Sequence, residues 1–224
     1  MDTSTGHAQR VRLEGITVQF TNHSGTSSLP SQTSFINNTR EPALFRTAAL
    51  IPVAADGNTT ASGFAINFDL TPIEQPRHVF NVGFSQYRLE TALYFQPEGT
   101  PFIVESSNEY FLLRAGYRYR LRPQRRLSLS AGPMIEYGFP ISATTSESIG
   151  SSFADGGTEF FAREAGLWMF SVPFVLRIKL AGAVALKLDS RPAFLLTRLD
   201  GTGIKTFMQG GSLAFQFRLR GGER

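Results

Sequence analysis

Residues 111–121 read Phe-Leu-Leu-Arg-Ala-Gly-Tyr-Arg-Tyr-Arg-Leu. Every odd position is apolar or aromatic: Phe111, Leu113, Ala115, Tyr117, Tyr119 and Leu121. From Arg114 onward the even positions are Arg114, Gly116, Arg118 and Arg120. A period of two is that of a β-strand, whose successive side chains point to opposite faces. One face is greasy and the other carries charge and glycine.

The pattern recurs on both sides of this stretch. Phe64, Ile66, Phe68 and Leu70 alternate with Ala65, Asn67 and Asp69, and Phe80, Val82 and Phe84 with Asn81, Gly83 and Ser85. Beyond Gln86 the apolar phase moves to Tyr87, Leu89, Leu93 and Phe95, which reads as one long bulged strand reaching past a bilayer. Leu127, Leu129, Ala131, Ile135 and Tyr137 oppose Ser128, Ser130, Gly132, Met134 and Glu136. Further strands are read at Trp168 to Ile178, Val184 to Leu196 and Leu213 to Leu219. The first strand changes parity between Leu13 and Ile16, and Gly15 at the switch marks a bulge.

About eight strands result, with ten reached if residues 43–54 add more. Short connections (residues 71–77, 122–125 and 181–182) alternate with long ones (22–59, 97–107 and 140–158), residues 200–203 being a short exception on the long side. Short turns at one rim and long loops at the other are the plan of an outer-membrane barrel. The expected fold is all-β: a single domain over 1–224, an antiparallel up-and-down transmembrane β-barrel with long loops at about 22–59 and 140–158.

Composition agrees. Of 224 residues, 18 % are charged and 42 % hydrophobic, with 20 Phe, one Trp and no Cys. Charge is scarcer than the roughly 25 % of soluble domains, and no run approaches the roughly 20 apolar residues of a membrane helix. A barrel needs apolar residues only at alternate positions. The net charge of +4 is dispersed except around Arg120, Arg122, Arg125 and Arg126, so no basic stripe for nucleic acid emerges. Without cysteine there is no disulfide or thiolate metal site. No signal-peptide pattern precedes the first strand, so the chain reads as a mature form with an added Met.

Two soluble or conducting alternatives compete. A lipocalin-like ligand-binding barrel reverses the faces, but the small and charged face offers little apolar volume for a cavity. Tyr117, Tyr119, Tyr137 and Trp168 near strand ends fit an interfacial aromatic belt. The hairpin over residues 110–139, with its Ala131-Gly132-Pro133, resembles small bacterial outer-membrane β-barrel proteins of the broad outer membrane protein beta-barrel domain group. That resemblance implies an outer-membrane location and no enzymatic activity.

The charge network expected in the lumen comprises Asp69, Arg88, Glu90, Arg114, Arg118, Glu136, Arg177, Lys179, Lys187, Asp189 and Arg218. Its excess of bases gives a second alternative, a narrow anion-preferring channel. A hydrolase needs a nucleophile, a His and an acid together. His7 lies in the tail, His23 in a loop and His78 beside a turn, so no catalytic residue, cofactor or metal site is expected. Function then falls to the loops or outer wall, as a structural or accessory subunit of an outer-membrane transport or secretion assembly. Phe35, Ile36, Leu44, Phe45, Leu50 and Ile51 make the first loop more apolar than solvation requires, a surface for another outer-membrane protein. The remaining expected partner is outer-membrane lipid; nucleic acid and a small-molecule substrate are not called for.

Overall fold

The computed structural model describes residues 11–29, 55–95, 102–149, 166–180, 183–199 and 202–218. They form ten strands: β1 (Val11–Leu29), β2 (Ala55–Pro72), β3 (His78–Phe95), β4 (Phe102–Leu121), β5 (Leu127–Ala131), β6 (Met134–Ile149), β7 (Leu167–Ser171), β8 (Phe174–Lys179), β9 (Val184–Leu199) and β10 (Thr202–Arg218). All pairings are antiparallel, and β1 pairs with β10 to close the sheet. β5 and β6 are two halves of one wall position, as are β7 and β8. The ring therefore has eight members, as an up-and-down barrel requires.

The expected bulge is present: the β1–β2 register shifts between Leu13 and Gly15. The bulge turns the extra residue, Glu14, toward the lumen, where it reaches Arg120 and Arg177.

Strands outrun the loop boundaries read from sequence. Residues 22–29 and 55–59 belong to β1 and β2, residues 102–107 to β4 and residues 140–149 to β6. These stretches are rich in Ser, Thr and Asn, which reads as loop, but continued ladder pairing satisfies their backbones. The rest of residues 22–59, with the six apolar residues named above, lies outside the described residues.

On β1 the outward residues run Ile16, Val18, Phe20 and then Asn22, Ser24 and Thr26. On β2 they run Leu70, Phe68, Ile66, Phe64 and then Ser62, Thr60 and Asn58. Phe20 pairs with Phe64 and Asn22 with Ser62, so the change from apolar to polar falls at one level on both strands. On β4 the apolar band runs from Leu121 to Phe111. Eleven residues rising about 3.3 Å each and tilted about 40° cover roughly 25 Å, the height of a lipid-facing band. The 19 residues of β1 exceed this, so the wall continues beyond the band on the long-loop side.

Above the band the polarity of the wall reverses without a break in register. Tyr87 and Leu89 point inward and Arg88 and Glu90 outward, while β3 pairs evenly with both neighbours. The change near Gln86 is thus not a bulge. The alternation holds, and the apolar residues move to the inside where the outward residues turn polar.

Candidate functional site in the lumen and on the wall

Three layers of side chains fill the lumen. The first lies within the apolar band and is ionic. Both carboxylate oxygens of Glu136 are used: Oε2 accepts from Arg114 Nη2 at 2.8 Å and Oε1 from Arg191 Nη1 at 3.1 Å. Asp69 accepts from Arg118 Nη2 at 2.8 Å, Asn81 Nδ2 at 2.8 Å, Gln216 Nε2 at 2.7 Å and Lys187 Nζ. Arg191 Nη2 also donates to Asp189 Oδ2 at 2.8 Å. Gln19 closes a ring through Asp189, Arg191, Glu136 and Arg114, donating to Asp189 at 3.0 Å and accepting from Arg114 at 3.1 Å. These partners come from β1, β2, β3, β4, β6, β9 and β10, so the network staples the wall across its own bore.

Arg114 Nη2 donates to Tyr87 Oη at 3.2 Å and ties this layer to the next. The second layer is apolar: Tyr87, Leu89, Tyr110, Leu112, Leu167, Met169, Leu195 and Met208 pack into one buried cluster with Ala61 and Ala193. The third is a set of hydroxyls, with Ser27 against Thr206 at 2.8 Å and Thr59 against Thr91 at 3.1 Å. A cavity of about 20 Å³ remains within the ionic layer, room for about one water.

Of the expected lumen charges, Asp69, Arg114, Arg118, Glu136, Arg177, Lys187 and Asp189 are brought together there, and Lys179 and Arg218 face inward at the short-turn mouth. Arg88 and Glu90 are not in the lumen. They pair with each other at 3.0 Å on the outside, above the apolar band, with side chains 57 % and 54 % exposed. They fall there because polarity, not periodicity, changes at Gln86.

Three members escaped the sequence reading. Glu14 is hidden by the bulge. Arg120 belongs in the sequence to the Arg cluster around residues 120–126, yet it is buried against Glu14 at 2.8 Å. Arg191 sits two residues beyond Asp189, and the same inward parity could have revealed it. His23 was read as a loop residue but is buried in β1, edge-on to Tyr87, and neither ring nitrogen has a hydrogen-bond partner among the described residues.

The outer wall has its own irregularity. Ala131 pairs with Phe174 and Met134 with Ser171, leaving Gly132-Pro133 and Val172-Pro173 outside the ladder between them. On either side the ladders to these strands also skip Tyr117-Arg118 of β4 and Arg191-Pro192 of β9. Proline brings no N–H to a ladder, so prolines at one level leave a seam across four strands. Tyr117 N to Pro133 O at 3.0 Å and Val172 N to Pro192 O at 3.2 Å bridge it. Over the seam lies an open groove of about 710 Å³, lined by Ala115, Ile135, Phe170, Val172, Phe194 and Phe207 among others.

The aromatic belt is present at both edges of the band. Tyr137 and Trp168 have ring centroids 4.5 Å apart, toward the long-loop side. Near the short turns, Tyr117 Oη bonds His78 Nδ1 at 2.8 Å and Tyr119 Oη accepts from Arg77 at 3.2 Å.

No protein-family model matches the sequence, and no curated protein does. Among solved structures, the Neisserial surface protein A is 12 % identical with a TM-score of 0.43, covering 91 % of this chain and 97 % of that one. OprG, an outer-membrane protein of Pseudomonas aeruginosa, is 6 % identical with a TM-score of 0.43, covering 93 % and 97 %. The outer-membrane protease OmpT of Escherichia coli is 8 % identical with a TM-score of 0.41, covering 94 % and 98 %.

Proposed function

We propose that this chain is a closed, non-enzymatic β-barrel of the bacterial outer membrane that acts through its wall and loops. The observation that carries this reading is the inverted polarity of its lower half. Phe20, Leu129 and Phe174 are 59 %, 56 % and 56 % exposed, while Glu136 and Asp69 are fully buried. In water such an exterior would associate or aggregate, whereas in a bilayer it is the expected surface. A lipocalin-like barrel has the opposite arrangement at this level.

The channel reading draws on the lumen's excess of cations, since Glu14, Asp69, Glu136 and Asp189 face Arg114, Arg118, Arg120, Arg177, Lys187 and Arg191. The ionic and apolar layers oppose it, because both must part before a solute passes. With the lumen filled, a role as structural or accessory subunit of an outer-membrane transport or secretion assembly falls to the outer surfaces. The six apolar residues from Phe35 to Ile51 remain the proposed contact for another outer-membrane protein.

The test is fractionation of the native protein, followed by its gel migration with and without heating. Recovery in outer membrane with a heat-dependent band shift supports the reading. A monodisperse monomer in buffer without detergent or lipid overturns it. Shortening residues 30–54 tests the accessory role: the band shift should persist while co-purifying proteins are lost. Retention of every partner would move that role to the wall.

A further inference from the structure

Among the described residues, the charges at the short-turn mouth of the lumen do not balance. Glu14 is the carboxylate there, and both its oxygens are committed: Oε1 accepts from Arg120 Nη1 at 2.9 Å and Oε2 from Thr71 Oγ1 at 3.1 Å. Arg177 stands beside it, its side chain 2 % exposed, with Nη2 3.4 Å from Glu14 Oε1. Its Nε donates to Gln216 Oε1 at 2.8 Å. Neither Nη1 nor Nη2 has a hydrogen-bond partner among the described residues.

A second orphan lies beside this one. Ser128 is the β5 residue paired with Arg177 of β8, so the two side chains share the inner face. Its hydroxyl is buried and likewise lacks a partner among the described residues. Lys179 and Arg218, both half-buried, continue from Arg177 toward the aqueous mouth. One of the ammonium protons of Lys179 goes to the Gln124 carbonyl at 2.7 Å, and no carboxylate pairs with it among the described residues. Among the described residues, four cations thus surround one carboxylate.

We propose that this mouth is a binding site for a tetrahedral oxyanion, held end-on by the Nη1–Nη2 fork of Arg177 with the Ser128 hydroxyl as a further donor. The fork's two parallel N–H groups match two oxygens of a phosphate, which a spherical halide cannot do. Lys179 and Arg218 supply attraction at the entrance, and Arg120 and Thr71 hold the two oxygens of Glu14. Buried Nη groups without a hydrogen bond are costly, and an oxyanion accepting from them removes that cost. The same chemistry is offered by inorganic phosphate and by the phosphate of a lipid headgroup.

The experiment uses the full chain in octyl glucoside, a detergent without phosphate, with foldedness checked by the heat-dependent gel shift. Inorganic phosphate is titrated against chloride at matched ionic strength, following the urea midpoint and the phosphorus-31 linewidth. Saturable stabilisation by phosphate and not by chloride is expected. Arg177→Gln should weaken it at least tenfold, scored as the phosphate-induced shift from that variant's own phosphate-free urea midpoint. Arg177→Lys, which keeps the charge and loses the fork, should also weaken it at least tenfold. A triple variant of the exposed turn, R122Q/R125Q/R126Q, should bind like wild type.

The proposal is overturned if phosphate and chloride act alike, if Arg177→Lys binds as wild type does, or if the turn variant loses as much as Arg177→Gln. Repeating the titration in phospholipid nanodiscs separates the sources. A silent titration with an Arg177-dependent lipid phosphorus signal identifies a headgroup, and an unchanged titration identifies free phosphate.

Discussion

Arg114 and Glu136 meet 2.8 Å apart with both side chains at zero exposure, inside a barrel whose outer surface at that level is hydrocarbon-like. An ion pair in such a place holds only if each partner is bonded further, and both are. Arg114 reaches Gln19, Asn67 and Tyr87, and Glu136 reaches Arg191. The pair therefore works as a node joining six strands around the bore rather than as an isolated contact.

Glu136→Ala leaves the buried Arg114 without its carboxylate and Arg191 with Asp189 alone. It should destabilise the barrel by about 3–5 kcal/mol. Arg88→Ala, at the exposed pair on the outside, should cost less than about 1 kcal/mol. Urea titrations in detergent, scored by the folded gel band, compare the two. Similar losses would mean that the lumen is wet and its network loose.

Charge on the wall should be tolerated according to height. Leu129→Arg and Phe215→Arg place a cation in the apolar band and should cost roughly 2–4 kcal/mol in lipid. Ser24→Arg points outward above the band and should cost less than about 1 kcal/mol. Refolding into vesicles at graded urea measures all three. Equal costs at Ser24 and Phe215 would remove the band's upper edge from where β1 and β2 place it.

The filled bore predicts electrical silence. No stable open steps are expected in planar bilayers from the folded protein. Reproducible anion-selective steps that change on neutralising Arg114 or Arg118 would overturn the closed reading and promote the channel.

The seam gives a backbone prediction. A Cβ at Gly132 would run into the Tyr117 carbonyl oxygen, whereas at Gly116 it would lie 3.2 Å from the Pro133 carbonyl oxygen and 3.3 Å from the Met134 side chain, where small shifts suffice. Gly132→Ala should therefore destabilise by about 1–3 kcal/mol and Gly116→Ala by less. Thermal gel-shift midpoints check the order. A reversed order would show that the skipped rungs, not Gly116, take up the strain.

The lipid face was legible because lipid imposes a simple rule: alternate residues must be apolar. Phe111 to Leu121 obeys it, and so do Phe64 to Leu70. The bulge at Gly15 was legible for the same reason, as a break in parity. Above Gln86 the rule lapses, and Arg88 and Glu90 were assigned to the lumen while Tyr87 and Leu89, which fill it, were assigned outward. Strand ends built of Ser and Thr read as loop, since pairing with a neighbour leaves no trace in local composition. Arg120 and Glu14 were lost because their partnership spans 106 residues and depends on a bulge turning one side chain inward.

The pairing of β1 with β10 runs from Gly15 against Arg218 to Ser28 against Lys205, as continuous as that between strands adjacent in the chain. A closed ring of this kind has no privileged first member. Its architecture belongs to the cyclic order of strands, and the point at which the chain is cut is incidental to the finished object. A circular permutant that links the end of β10 to the start of β1 and opens between β6 and β7 should reach the same barrel with the same gel shift. What would change is the order in which strands become available, so such a permutant separates the information that shapes the barrel from the sequence of events that builds it.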